Sequence, residues 1–195
     1  MNAPGNPAAG GGTDARTRRM IVLIAAIAVA PIVLAYVAYY DWPRMARTNY
    51  GELLPAQTLP HFIGATPAGA PFDSAGLHGK WVVLFAAPGE CDPTCRQALY
   101  ASRQARTIQN AERERVQRVW LLTDAAMPAP SLLAEHPDLA VARVSPTALA
   151  ALPRGLDVMY LVDPLGNLVL AWPANPDIKA MSKDLARLLR ASQIG

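Results

Sequence analysis

Apolar positions fall along this chain in three distinct patterns, and each predicts a different kind of element. From Met20 to Tyr40 there are 21 residues without a charge. At 1.5 Å per residue such a helix is about 31 Å long, close to the hydrocarbon thickness of a bilayer. Short continuous runs follow: Trp81-Val82-Val83-Leu84-Phe85, Val119-Trp120-Leu121-Leu122 within 116–123, Val141–Val144 and Val158–Val162. Runs of this length predict strands buried on both faces. The third pattern has helical spacing. It predicts a helix from about Thr94 to Arg113, with Cys95, Leu99, Ser102, Ala105 and Ile108 on one face, and a C-terminal helix with Ile178, Met181, Leu185, Leu188 and Leu189 as its stripe and Asp177 near its start. Ser131 is placed to cap a short helix over Leu132–His136, and Pro146 to open a helical turn ending at Leu152. Asp163-Pro164-Leu165-Gly166-Asn167 carries turn chemistry between Val158–Val162 and a hairpin partner, Leu168–Ala171. Strands alternating with helices predict an α/β domain with helices on both faces of a sheet.

Punctuation divides the rest. Residues 1–19 begin Gly/Pro-rich and aperiodic, and read as a disordered tail. Residues 41–75 hold Pro43, Pro55, Pro60, Pro67 and Pro71 with little pattern, and read as an extended lead-in to a domain over 76–195. Arg16, Arg18 and Arg19 precede the apolar span, which places the N-terminus in the cytoplasm and the domain in the periplasm; Arg44 and Arg47 count against that orientation without reversing it. Tyr36, Tyr39, Tyr40 and Trp42 suit an interfacial belt. A cleaved signal peptide is the alternative, but its apolar region would run only about 7–15 residues. Ala28-Val29-Ala30, the nearest cleavage-like site, sits mid-span before Pro31. The expectation is a single-pass inner-membrane anchor.

Composition adds little to this. The 195 residues are 52% hydrophobic and 17% charged, which excludes a disordered chain. Net charge is +3, of which the first 40 residues carry +2. The nearly neutral remainder lacks the basic footprint of a nucleic-acid binder. No G-x-S-x-G, H-E-x-x-H or phosphate-binding Gly loop is present. The stretch Ala111–Arg118 alternates in sign and reads as a solvated helix end.

The chain has two cysteines, Cys91 and Cys95, predicted between a buried strand and a helix. A helix N-terminus stabilises a thiolate, which makes the first of them a candidate nucleophile. Spacing i, i+4 lets the pair form a disulfide or share a soft metal ion. An inert disulfide is the competing role, although so small a loop removes little unfolded-state entropy. Arg96, Arg103 and Arg106 flank the pair, either as a solvated face or as contacts for an acidic partner.

Gly79–Phe85, Cys91-x3-Cys95, Val119–Thr123 and Tyr160–Gly166, with the lead-in Thr48–Pro55, resemble the thioredoxin-like Sco/SenC family over residues 48–192. That resemblance implies a thioredoxin-like fold behind a single N-terminal transmembrane helix. It also implies copper binding through Cys91 and Cys95, and a part in assembling the copper centre of cytochrome c oxidase, with an oxidase subunit or its assembly factors as partner. General periplasmic thiol–disulfide exchange, with Cys91 attacking and Cys95 resolving, and a non-catalytic accessory role are the alternatives. Three departures stand out. The family's distal copper-ligand His falls at Gly155, the Pro after the second Cys is replaced by Arg96, and the cis-Pro of thioredoxin-type reductases falls at Asp157. Of the three histidines, His61 lies in the lead-in, His78 in a turn before the first core strand, and His136 at the end of a short helix, where it suits a dipole role. Met159 and Met181 fall on core positions, while Met1, Met20, Met45 and Met127 are scattered. Two thiolates alone can still hold Cu(I), and copper is expected in that state.

Overall fold

A computed structural model describes residues 13–40 and 49–192 of the chain. Residues 1–47 and 48–195 form two compact units. The first is helix α1, Thr13–Tyr40, which continues through Pro31. It begins seven residues ahead of the Met20 boundary, so the predicted tail is helical from Thr13; the rest of that tail, and the Trp42, Arg44 and Arg47 positions, lie outside the described residues. Within α1, Ala15–Val37 has a mean hydropathy of 2.8 and is long and apolar enough to cross a membrane. Its large apolar side chains between Met20 and Val37 are exposed.

The second unit is built on one eight-stranded sheet. Its strands are β1 (Glu52–Thr58), β2 (Ile63–Ala65), β3 (Pro71–Asp73), β4 (Trp81–Ala87), β5 (Val116–Leu122), β6 (Leu139–Val144), β7 (Val158–Val162) and β8 (Asn167–Pro173). The spatial order is β1-β8-β7-β4-β5-β6-β2-β3. β4, β5 and β6 run parallel, and every other neighbouring pair is antiparallel. The helices are α2 (Pro93–Thr107), α3 (Pro130–Ala134), α4 (Pro146–Ala150) and α5 (Ile178–Ala191).

The run Trp81–Phe85 alternates between two cores, as a strand must. Trp81, Val83 and Phe85 pack with Leu99 of α2 and Leu185 of α5 on one face, and Phe85 stacks on Trp120 at 6.1 Å between ring centroids. Val82 and Leu84 face the other way, onto Leu149 of α4, Phe62 and Leu77. Helices therefore cover both faces, but the two longest share one.

Four expectations need correction. The lead-in over 41–75 supplies β1, β2 and β3, which extend the sheet at both edges. Pro55 sits where the β1–β8 register shifts, and Pro71 opens edge strand β3; both are places where a missing N–H costs no ladder bond. Helix α2 stops at Thr107 rather than Arg113, because Asn110 takes a left-handed conformation at φ 53°. Ile108, expected on its buried face, is 50% exposed. Ser131 lies inside α3, whose N-cap is Ala129 without a side-chain bond.

The fourth correction is Arg118. It is fully buried on β5, not solvated: its guanidinium donates to Ser102 Oγ, the Leu99 carbonyl and Asp138. Burial lowers its pKa to about 10, so it remains a cation at neutral pH.

Asp184 of α5 carries a second buried charge. Its carboxylate accepts from the backbone N–H groups of Tyr50 (3.0 Å) and Gly51 (2.8 Å) and from Trp172 Nε1 (3.1 Å). This fastens the start of the folded unit to its last helix. An amide at this position turns a donor toward donors. Asp184→Asn is expected to cost about 2 kcal/mol and lower Tm by about 4–8 °C, read by thermal unfolding in detergent. The exposed neighbour Lys183→Gln should stay within about 0.5 kcal/mol.

Candidate functional site

Strand β4 ends at Ala87, whose carbonyl accepts from Thr123 N (3.1 Å) and Trp120 Nε1 (3.2 Å). The chain then turns through Gly89, whose N–H donates to Asp124 Oδ1 at 2.8 Å. A Cβ on Gly89 would stand 2.1 Å from the Ala126 carbonyl oxygen, so glycine is what lets this loop lie against the loop after β5. Cys91 follows, and Asp92 caps α2 by accepting from Cys95 N at 2.7 Å. Pro93 opens the helix, with no N–H left unpaired there.

Cys91 and Cys95 are joined in a disulfide, with their Cα atoms 5.2 Å apart. Cys91 is half-buried, whereas Cys95 is 5% exposed against Leu99 and the β4 core. The pair is thus accessible from the Cys91 side. Cys91 adjoins the N-cap and Cys95 lies in the first turn, so the positive end of the helix dipole faces both. The Asp92 carboxylate, placed between the two, opposes a thiolate on either.

Two clefts adjoin the pair. One, of about 310 Å³, lies on the Cys95 side and is lined by Phe85, Thr94, Cys95, Leu156, Asp157 and Met159. The other, of about 560 Å³, opens on the Cys91 side between Glu90, Asp92, Arg96, Met127 and Leu132. The loop after α4 reaches the first cleft at Leu156 and Asp157, one and two residues past the position that counting from Tyr160 assigns to a distal ligand. Tyr160 fixes this loop: its hydroxyl accepts from Arg154 N (2.9 Å) and donates to the Gly155 carbonyl (2.8 Å). Burial pushes the Tyr160 phenol above its usual pKa, so it stays protonated as that donor. Gly155 has φ +72° with open space where a Cβ would stand. Arg154 is ion-paired with Glu52 of β1.

None of the three histidines lines either cleft. His61 Nε2 lies 2.8 Å from Asp73 Oδ1 beside β2 and the edge strand β3. The Ala75 N–H, with His61 after it, holds the Asp73 carboxyl below its usual pKa. His78 packs against Gly166, in the turn beyond the starting end of β4. His136 does not serve as a helix-end cation. It is 5% exposed, and burial, then the nearby Arg118 and Arg103, hold its pKa below the usual histidine value. No group of three or more His, Cys, Asp or Glu side chains able to hold a metal occurs among the described residues. The available donors are two sulfurs with carboxylates beside them, a set that fits Cu(I) once the disulfide is reduced and offers no nitrogen to Cu(II).

The flanking arginines separate. Arg106 is engaged by the Val116 carbonyl, Asp138 and Glu114. Arg96 Nε donates to the Cys91 carbonyl at 3.2 Å, and Arg103 Nη1 to the Glu135 carbonyl at 2.7 Å. The Asp92 cap was legible in the sequence as an Asp three residues before Cys95. Asp157 was legible as the position of the reductases' cis-Pro, whereas Met127 was not, since only folding brings its loop to the cleft.

A parallel β4–α2–β5 unit with a cysteine pair at the strand-to-helix junction defines a thioredoxin-like domain. The family described as "Transmembrane-like, thioredoxin-like, C-terminal domain" matches residues 81–192, and the chain belongs to it. A comparison with curated proteins found no match. Among solved structures, the fold is shared with yeast Sco1 with copper bound (19% identity, TM-score 0.60, 71% of this chain and 96% of that one). It is shared likewise with Arabidopsis thaliana ScoI with copper bound (20%, 0.59, 70% and 100%). Apo Sco1 from Thermus thermophilus is similar too (22%, 0.57, 75% and 98%).

Proposed function

We propose that this chain is a membrane-anchored thioredoxin-like protein of the bacterial inner membrane that assists assembly of the copper centre of cytochrome c oxidase. Its domain works in the periplasm, where thiols can be oxidised, and α1 is its uncleaved anchor. The chemistry is thiol–disulfide exchange at Cys91 and Cys95, with Cu(I) as cargo of the reduced pair. The observation that carries this reading is the disulfide itself, set at the junction of β4 and α2 with one sulfur accessible and one buried. Structures of the same fold are described as copper-bound. Another, of BsSco, is described as a member of the Sco family of cytochrome c oxidase assembly proteins with a disulfide switch.

Without a histidine at either cleft, the site favours the cuprous ion, which accepts two thiolates alone. Full-length protein in detergent, reduced, is expected to bind one Cu(I) in competition with a chelator. The oxidised protein should bind none, and neither form should hold Cu(II) tightly. Tight Cu(II) binding by the wild type overturns the site as described. Loss of all copper binding in the reduced protein removes the cargo and leaves thiol exchange.

A further inference from the structure

The cleft beside Cys91 does not end at the disulfide. Arg96 and Leu132 also line a third cleft, of about 390 Å³, between α2 and the end of α3, so the two adjoin end to end. The groove runs from the accessible sulfur along α2 to Tyr100, Arg103 and His136. From Cys91 to Arg103 the helix advances about 18 Å, the length of about five extended residues. Its two ends differ in charge. Glu90 and Asp92 stand at the sulfur end, Arg96 midway, and Arg103 at the far end, where its guanidinium lies 5.9 Å over the Tyr100 ring. Glu135 is the carboxylate in the lining at that far end, and Asp138, paired with Arg106 and Arg118, lies near His136 behind it. His136, 5% exposed, lines the far end and has its Nδ1 buried without a hydrogen-bond partner.

We infer that this α2–α3 groove docks an extended segment of the redox partner, with the partner's cysteine at Cys91 and a carboxylate side chain about five residues away at Arg103 and His136. The inference rests on the thiol-exchange reading and adds the partner's chemistry to it. In the docked complex the partner thiolate attacks Cys91 Sγ. A new S–S bond forms, the Cys91–Cys95 bond breaks, and its electron pair leaves on Cys95 Sγ, which takes a proton from solvent. A second partner thiolate then attacks the mixed disulfide, leaving the partner oxidised and Cys91–Cys95 reduced. The acidic groups beside Cys91 disfavour a carboxylate adjacent to the attacking thiol, so the sign pattern selects spacing as well as charge.

The test uses oxidised full-length protein in detergent and Gly/Ser peptides with a central Cys, carrying either Glu or Gln five residues to each side. At low salt the Glu peptide is expected to react about tenfold faster, an advantage that salt erases. Arg103→Glu should abolish this preference and confer one for a Lys-bearing peptide, while Arg103→Lys should keep the preference for Glu. Dithiothreitol, small and uncharged, should reduce wild type and both variants at equal rates, which shows the disulfide itself unaltered. Equal rates for Glu and Gln peptides on the wild type, or a Glu preference that survives in Arg103→Glu, overturn the groove. A wild-type disulfide that dithiothreitol cannot reduce overturns the thiol-exchange reading beneath it.

Discussion

Cys91→Ser should abolish mixed-disulfide formation, whereas Cys95→Ser should accumulate it. The two substitutions each delete one sulfur and are chemically alike, so the contrast comes from position alone. Cys91 lies before the helix cap, half-buried beside an open cleft, and a thiol or disulfide partner can approach it. Cys95 is 5% exposed in the first turn of α2, within reach of Cys91 but less accessible to an incoming molecule. Once Cys91 of the reduced protein is joined to a small disulfide's sulfur, which brings no second thiol, Cys95 releases it by internal attack; without Cys95 the adduct persists. Reacting each reduced variant with a small disulfide and measuring intact mass should show a stable adduct for Cys95→Ser and none for Cys91→Ser. Adducts of equal yield on both variants would make the pair symmetric and remove the assignment of Cys91 as the reacting sulfur.

What the sequence disclosed and what it hid follow from burial. β4, β7 and the Val119–Leu122 half of β5 are buried on both faces, and there the residues are apolar without interruption, so their runs are unmistakable. β1, β2 and β3 lie toward the sheet edges, where one face or one side meets water. Their polar and Pro-rich sequences satisfy that setting and erase the pattern a strand is read by. Arg118 was misread for a related reason. Its charge belongs to an alternating run, yet the donors it carries are met by Ser102, Leu99 and Asp138, and no local pattern announces such partners. The three donors to Asp184 include one 134 residues away in the chain. The disulfide was legible as a possibility because its two members are near neighbours in sequence. The groove from Cys91 to His136 was not, since it needs the α2–α3 packing to exist.

The position of a distal ligand shows the same limit. Counting back from Tyr160 selects Gly155, but the residues that share the Cys95 cleft are Leu156 and Asp157. Gly155 has a left-handed backbone, its carbonyl is held by the Tyr160 hydroxyl, and it lines no cleft with either cysteine. A histidine there has room for its Cβ but must adopt a conformation that disfavours L-residues by about 1–2 kcal/mol. Asp157→His requires no such backbone and places an imidazole nitrogen beside the cleft that Cys95 lines. Replacing a carboxylate with an imidazole next to two thiolates supplies the nitrogen that Cu(II) lacks in this protein. Reduced Asp157→His should therefore bind Cu(II) about 100-fold more tightly than wild type, equivalent to about 2.7 kcal/mol. Sulfur-to-copper charge-transfer absorption should appear with it. Cu(I) affinity, already supplied by two thiolates, should change far less. Gly155→His is expected to gain less than Asp157→His under the same titration. The reverse ranking would mean that the loop between α4 and β7 rearranges to deliver residue 155 to the sulfurs, and that the cleft described here is not where copper is taken up.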